Sequence, residues 1–318
     1  TWSTQVTADK RKYPTMLATG NKVSHVENAD GRTHTTKFES DIRMPSYLFA
    51  LILGNFDSIS EDFDLDGKTI KLQIYMDPGK AERGRVAMEA LKRVLRSEKD
   101  KYGVEYDLDE YKVVVTKDLN FGAMENKGLN VFNKSNAEVS PETGTDDDIV
   151  KVVATVGHEA QHNSRGNRVT VRTWHETALK EGFVHYEEEK FVGDLMGRDM
   201  TRIRYVRDLR SSQFPEDAGN SAHQIWPEEY IGDPGDSMYS KTTYYKGGEI
   251  IRMIEVLIGT EKYREGSMLY FDRFDGKAAS IDDLVSCFQE ASGMDLSQFK
   301  LWFNQVGTPK CDVTSSYD

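Results

Sequence analysis

The segment TDDDIVKVVATVGHEAQHNSRGNRVTVRTWHETALKEGF, residues 145–183, decides how the chain folds. Thr145 ahead of Asp146, Asp147 and Asp148 makes a helix start, because a hydroxyl caps free N–H groups and first-turn acids suit the positive end of the helix dipole. Ile149, Val152, Val153 and Val156 then recur at helical spacing up to the histidines. After a loop at Gly166-Asn167, Thr173 and Glu176 have the spacing of a capping box, which predicts a second helix carrying Leu179, Phe183 and Tyr186.

His158 and His162 stand four residues apart, so they leave one helix face a turn apart, where two imidazoles share one ion. Glu159 lies beside them. Catalytic zinc takes three protein ligands and keeps a fourth position for water. Glu181, eighteen intervening residues (163–180) past His162 and on the next predicted helix, is the expected third ligand. An arbitrary helical pair of histidines reads as satisfied polar groups. Here a buried glutamate between two buried histidines is costly without a cation, and a single Zn2+ accounts for all three. His25, His34, His175, His185 and His223 have no partner at ligand spacing and read as surface or packing residues.

Outward from this segment, the N-terminal part reads as strand and turn: Lys37-Phe38, then Tyr47 to Leu53 bounded by Gly54-Asn55. Alternation at Ile70, Leu72, Ile74 and Met76 continues to the turn Asp77-Pro78-Gly79. Val86, Ala87, Ala90, Leu91, Val94 and Leu95 then share one helical face ahead of Gly103. Val113 to Val115 form a strand running into Asn120-Phe121-Gly122-Ala123-Met124-Glu125-Asn126. Beyond Glu181 the chain reads as mainly helical, including Gly248 to Leu257 and a helix opened by Ser280. A seam falls between Gly54 and Gly67, and the predicted domains are 1–56 and 57–318.

The chain has 318 residues, ample for a core, and two cysteines, Cys287 and Cys311, which read as ordinary thiols of a reducing, cytoplasmic setting. A net charge of -12 argues against nucleic acid or an anionic membrane as partner. Charged residues at 30% against 38% apolar predict a heavily charged surface around a modest core. No stretch is apolar for the length of a bilayer crossing. The expected form is a monomer.

Three motifs together resemble a known family, the aminopeptidase N type of zinc metallopeptidases with a thermolysin-like catalytic domain. Gly122-Ala123-Met124-Glu125-Asn126 is similar to its exopeptidase signature. His158 to His162 with Glu181 in Leu179-Lys180-Glu181-Gly182 is similar to its zinc pattern, and Tyr244-Tyr245-Lys246-Gly247 resembles the segment of its catalytic tyrosine. The resemblance implies an α+β fold: a small mixed β-sheet lobe plus a mainly helical lobe, preceded by a remnant of an N-terminal β domain. It implies hydrolysis of the N-terminal peptide bond of peptides. Glu159 would be the general base toward zinc-activated water, and Tyr244 would stabilise the oxyanion. Glu125 would hold the substrate ammonium, Gly122 and Ala123 would pair with the peptide backbone, and Phe121 and Tyr239 would line the first side-chain pocket.

The chain also departs from that family. Ala160, Gln161, Ser164 and Arg165 stand where aromatics are usual, His175-Glu176-Thr177 replaces an apolar run, and Glu188 replaces an aspartate. Polar residues there predict surfaces left wet by missing covering domains, as in an isolated, engineered catalytic domain, with a natural divergent homologue as the competing explanation. Two further readings follow: a zinc-binding scaffold without catalysis, and an epoxide hydrolase sharing the zinc site.

Overall fold

The computed structural model describes residues 1–229 and 238–317. Two small antiparallel sheets come first. β1 (Trp2–Asp9), β4 (Thr33–Ser40) and β3 (Asn21–Glu27) form one in the order β1-β4-β3, and β2 (Thr15–Ala18) pairs with β5 (Leu51–Gly54) to form the other. The strand expected from Tyr47 to Leu53 is shorter than predicted. Ser46–Leu48 is a 3-10 turn entered from extended Pro45, and strand pairing begins only at Leu51.

β6 (Asp57–Leu65), β7 (Lys68–Met76), β8 (Glu110–Thr116), β9 (Ala123–Met124) and β10 (Leu129–Asn133) build a mixed five-stranded sheet in the order β6-β7-β8-β10-β9. Helix α1 (Arg85–Tyr102) is the crossover that the parallel β7/β8 pair requires, and Gly103 ends it at φ 68°, a conformation that suits glycine. The face of α1 carrying Ala87, Leu91 and Val94 and the face of α2 (Asp146–Gln161) carrying Val152, Val153 and Val156 share one apolar cluster with Leu72, Ile74 and Val113 of the sheet. β9 is the edge strand of this sheet, so one side of its backbone faces away from β10.

The helical lobe follows. Its elements are α3 (Ala178–Met196), α4 (Arg198–Asp208), α5 (Phe214–Asp217), α6 (Gly247–Ile258), α7 (Thr260–Phe274) and α8 (Ile281–Ser292). β11 (Val169–Val171) and β12 (Lys277–Ala279) pair in parallel beside it. Phe183, Tyr263, Tyr270 and Phe288 form the aromatic centre of a second apolar cluster. α3 and α6 meet without side chains between them: a Cβ on Gly182 would lie 2.8 Å from the backbone of Gly247.

Thr145 caps α2 as expected, and with Asp148 it forms a full capping box; Ser280 and Asp283 form another at α8. Thr173 does not cap α3. It precedes a 3-10 turn, Trp174–Glu176, in which the Glu176 carboxylate accepts from the Thr173 hydroxyl at 3.3 Å and, through its other oxygen, from the N–H of Ile281 at 3.0 Å; α3 starts only at Ala178.

Candidate active site

The last turn of α2 and the first turn of α3 bring His158, His162 and Glu181 together. His162 Nε2 lies 3.1 Å from His158 Nε2, and each lies 3.2 Å from Glu181 Oε2. The second nitrogen of each ring fixes its tautomer. His162 Nδ1 donates to the carbonyl of Arg165 at 2.9 Å, and His158 Nδ1 donates to Glu188 Oε2 at 2.9 Å. Both Nε2 atoms are therefore bare acceptors facing a carboxylate oxygen. Three mutually facing acceptors repel unless a cation sits among them. A tetrahedral zinc with ligand bonds of about 2.05 Å separates its ligands by roughly 3.3 Å, so the donor set fits that ion. The carboxylate behind a ligand histidine is the usual orienting arrangement.

Glu159, Glu125 and His162 converge on the same point from the other side. Glu159 Oε2 is buried and has no hydrogen-bond partner among the described residues. Burial pushes the Glu159 carboxyl up to about 8; His158 opposes this, and Glu125 and Glu181 add to the rise. A dication held by the neighbouring ligands lowers it again. Glu125 accepts from Lys180 Nζ at 2.9 Å, and Lys180 also donates to Glu181. Burial opposes the charge on Glu125, but Lys180 and His162 outweigh it and hold the carboxyl below its ordinary range.

These groups line a cleft of about 570 Å³, within the usual size of a small-ligand site. Phe121 and Tyr239 stand at its rim, 55% and 50% exposed, with Gly122, Ala123 and Met124 between them and the metal-ligand cluster. Asn126 is tied to the carbonyls of Tyr47 and Phe49, and the Glu125 carbonyl accepts from Asn167 at 2.9 Å, so the turn is held on both sides. The Gly122 carbonyl accepts the N–H of Asn133 at 2.9 Å. Strand alternation leaves the outer edge to Ala123.

Tyr244 lies in a π-helical turn, Thr242–Lys246, immediately before α6. Its ring stacks 5.9 Å from that of His158. Burial, with Glu181 adding, raises its phenol well above the ordinary value, so it stays protonated and able to donate.

Several residues read otherwise from the sequence belong to this site. His185 lines the cleft, 3.5 Å from Glu188 and with its ring 4.5 Å from that of Tyr245, so its reading as a bystander is corrected. Glu188 is also bonded by Tyr205. Burial opposes its ionisation, yet hydrogen bonds from His158 and His185 hold its carboxyl well below the usual range. Lys180 carried no spacing signal, and only its place beside Glu181 pointed to it.

The expectation of wet surface at Ala160, Gln161, Ser164 and Arg165 is overturned. All four are buried, at 3%, 2%, 1% and 1% exposure. Arg165 pairs with Glu98 at 2.6 Å and lies over the rings of Tyr102, Phe183 and Phe271. Glu176 and Thr177 are buried as well. The polar substitutions are internal packing, and the inference of an engineered, uncovered surface loses its basis.

Fold and site together define a metallopeptidase domain of thermolysin-like architecture. The chain belongs to peptidase family M1: the family's domain, described as Peptidase family M1 domain, matches residues 86–304. The chain is 42% identical over 318 residues to aminopeptidase N of Caulobacter vibrioides, covering 100% of this chain and 36% of that protein. It is 42% identical over 318 residues to aminopeptidase N of Escherichia coli, with the same coverage. Similarity extends to the puromycin-sensitive aminopeptidase of Caenorhabditis elegans, 28% identical over 316 residues, 98% of this chain and 33% of that protein. Among solved structures, Legionella pneumophila aminopeptidase A in complex with aspartic acid superimposes with a TM-score of 0.86 at 30% identity, covering 96% of this chain and 34% of that one. The chain thus spans about 36% of the length of the first curated relatives it matches. Among the described residues no helix is long and apolar enough to cross a membrane.

Proposed function

We propose that the chain is the catalytic part of a zinc aminopeptidase, releasing the first residue of peptides with a free N-terminus. The observation that carries this reading is the order of groups along one cleft: Glu125, then three acceptor atoms set for one cation, with unpartnered Glu159 Oε2 beside them. We assign the catalytic unit to residues 57–318.

Zinc held by His158, His162 and Glu181 supplies Lewis acidity toward water and a carbonyl oxygen. Glu159 accepts the proton of the attacking water through its free oxygen and returns it to the leaving amine. The Tyr244 phenol donates to the oxyanion that develops on the scissile carbonyl. Glu125 keeps Oε1 on Lys180 and offers its other oxygen to the substrate ammonium, which fixes cleavage after the first residue. Ala123, on an edge strand, pairs with the extended peptide, while Phe121 and Tyr239 flank its first side chain.

The test is hydrolysis of an aminoacyl anilide and of its N-acetylated form, each with and without chelator. The reading requires chelator-sensitive cleavage of the free amine alone. Cleavage of both removes the role of Glu125, and cleavage of neither leaves the zinc scaffold or the epoxide hydrolase. Glu159→Gln should retain one zinc per chain while turnover falls by about 10²–10⁴-fold.

A further inference from the structure

The two ends of the cleft differ in charge. One continuous line of contacts runs from Glu125 through Lys180 and Glu181 to His158, and on through Glu188 to His185, Tyr245 and Lys241. The metal-ligand cluster lies at its middle, Glu125 at one end and the Lys241 ammonium at the other. Glu125, the cluster and Lys241 line the same cleft, so Lys241 is open to the departing part of a peptide anchored by its ammonium at Glu125 and cut at the cluster.

Lys241 is exposed and lines the cleft, and its Nζ lies 5.2 Å above the ring of Tyr245. The other face of this wall is His185, ring to ring with Tyr245 at 4.5 Å. The Tyr239 ring, two positions earlier, lies 5.9 Å from Lys180 Nζ. The backbone N–H groups of Lys241 and Thr242 are fixed by Glu216 at 3.1 and 2.6 Å, which anchors the turn that carries the ammonium. Among the described residues no carboxylate lies within ion-pair distance of Lys241 Nζ, although the chain carries a net charge of -12. Glu188, the acidic group on this side, is occupied by His158, His185 and Tyr205. An ammonium held over an aromatic ring and facing a cleft is a point contact for an anion.

We propose that this end of the cleft is a carboxylate-recognising subsite for the residue after the scissile bond, with Lys241 as its cationic contact and Tyr245 and His185 as its floor. The inference rests on the aminopeptidase reading. The carboxylate has two sources: the C-terminus of a dipeptide, or an aspartate or glutamate side chain in the second position of a longer peptide.

The experiment measures kcat/KM for Ala-Ala, Ala-Ala-amide, Ala-Asp-amide and Ala-Lys-amide, at low and at high salt, for the chain and for Lys241→Met and Lys241→Glu. The expected result is a preference of about three- to fivefold for Ala-Ala or Ala-Asp-amide over Ala-Ala-amide at low salt, with Ala-Lys-amide poorest. The preference should shrink in high salt, vanish in K241M and reverse in K241E. Ala-Ala alone being favoured identifies the C-terminus as the source, and Ala-Asp-amide alone identifies the side chain. Equal rates on carboxylate and amide substrates, or a preference that K241M leaves intact, overturn the subsite while leaving the aminopeptidase standing. Absence of cleavage of all four peptides overturns both.

Discussion

The ammonium of Lys180 lies 2.9 Å from Glu125 Oε1 and donates at the same time to Glu181, so one buried cation joins the proposed amine anchor to a metal ligand. With no metal bound, Lys180 is a buried positive charge in direct contact with the carboxylates Glu125 and Glu181. Lys180→Met should therefore lower the melting temperature of the chelated protein by about 6–10 °C, the cost of uncompensated buried charge. Zinc returns a cation to the cluster, so the zinc-saturated variant should lose less than half as much. Thermal melts with zinc and with chelator check this, and equal losses would refute it.

In the proposed mechanism Tyr244 acts on the transition state and not on the resting substrate. Tyr244→Phe keeps the ring that stacks on His158 and removes the donor. The expected outcome is a fall in kcat of about 10²–10³-fold with KM nearly unchanged. Steady-state kinetics on an aminoacyl anilide decide it, and a rise in KM at constant kcat would assign the phenol to ground-state binding.

Arg165 and Glu98 are buried partners at 2.6 Å, and Arg165 supplies the backbone carbonyl that orients His162. Arg165→Met strands the Glu98 carboxylate and should destabilise the fold by about 3–5 kcal/mol. Adding Glu98→Leu removes the stranded charge and should restore most of the loss. Denaturant unfolding of the single and double variants measures both, and a double variant no more stable than the single would show that the charge is not the cause.

Asp217 contributes a pH dependence away from the proposed metal site. It accepts from Lys246 Nζ at 2.9 Å, from the N–H of Gly307 at 3.0 Å and from Thr308 at 3.1 Å. Burial opposes its charge, but Lys246 and Gly307 outweigh burial and hold its carboxyl below the ordinary value. A carboxylate depressed in the folded state stabilises above its unfolded pKa of about 4, and that contribution is lost as pH falls through the folded value. Asp217→Asn should thus melt lower than the parent at pH 7, with the gap closing below about pH 4. A gap independent of pH would show that the ion pair contributes nothing.

What the sequence disclosed was whatever depends on neighbours a few residues apart. The helix starts at Thr145 and Ser280, the stop at Gly103 and the paired histidines are all local, and Glu181 needed only one helix-to-helix step. Where a distant group competes, the local reading failed. Glu176 has capping spacing and accepts from the Thr173 hydroxyl, but the pair closes a 3-10 turn tied to Ile281, and the helix starts later. Arg165 and Ser164 read as surface because charge and hydroxyl favour water, yet Glu98 and three aromatic rings enclose them. The charge-rich composition misled in the same way: Lys112, Lys127, Arg165, Lys180 and Glu187 are internal, so a count of charges overstates the surface. His185 had no ligand spacing, and only the fold brings it beside Glu188.

The bare contact between Gly182 and Gly247 fixes one dimension of the catalytic centre. Glu181 precedes one glycine and Tyr244 lies three residues before the other, so the separation of metal ligand and phenol is set by main chain resting on main chain. A gauge made of backbone has a single setting. Even one methyl group at either position would act as a shim between the helices, shifting Tyr244 relative to Glu181 while every side chain proposed for catalysis keeps its identity.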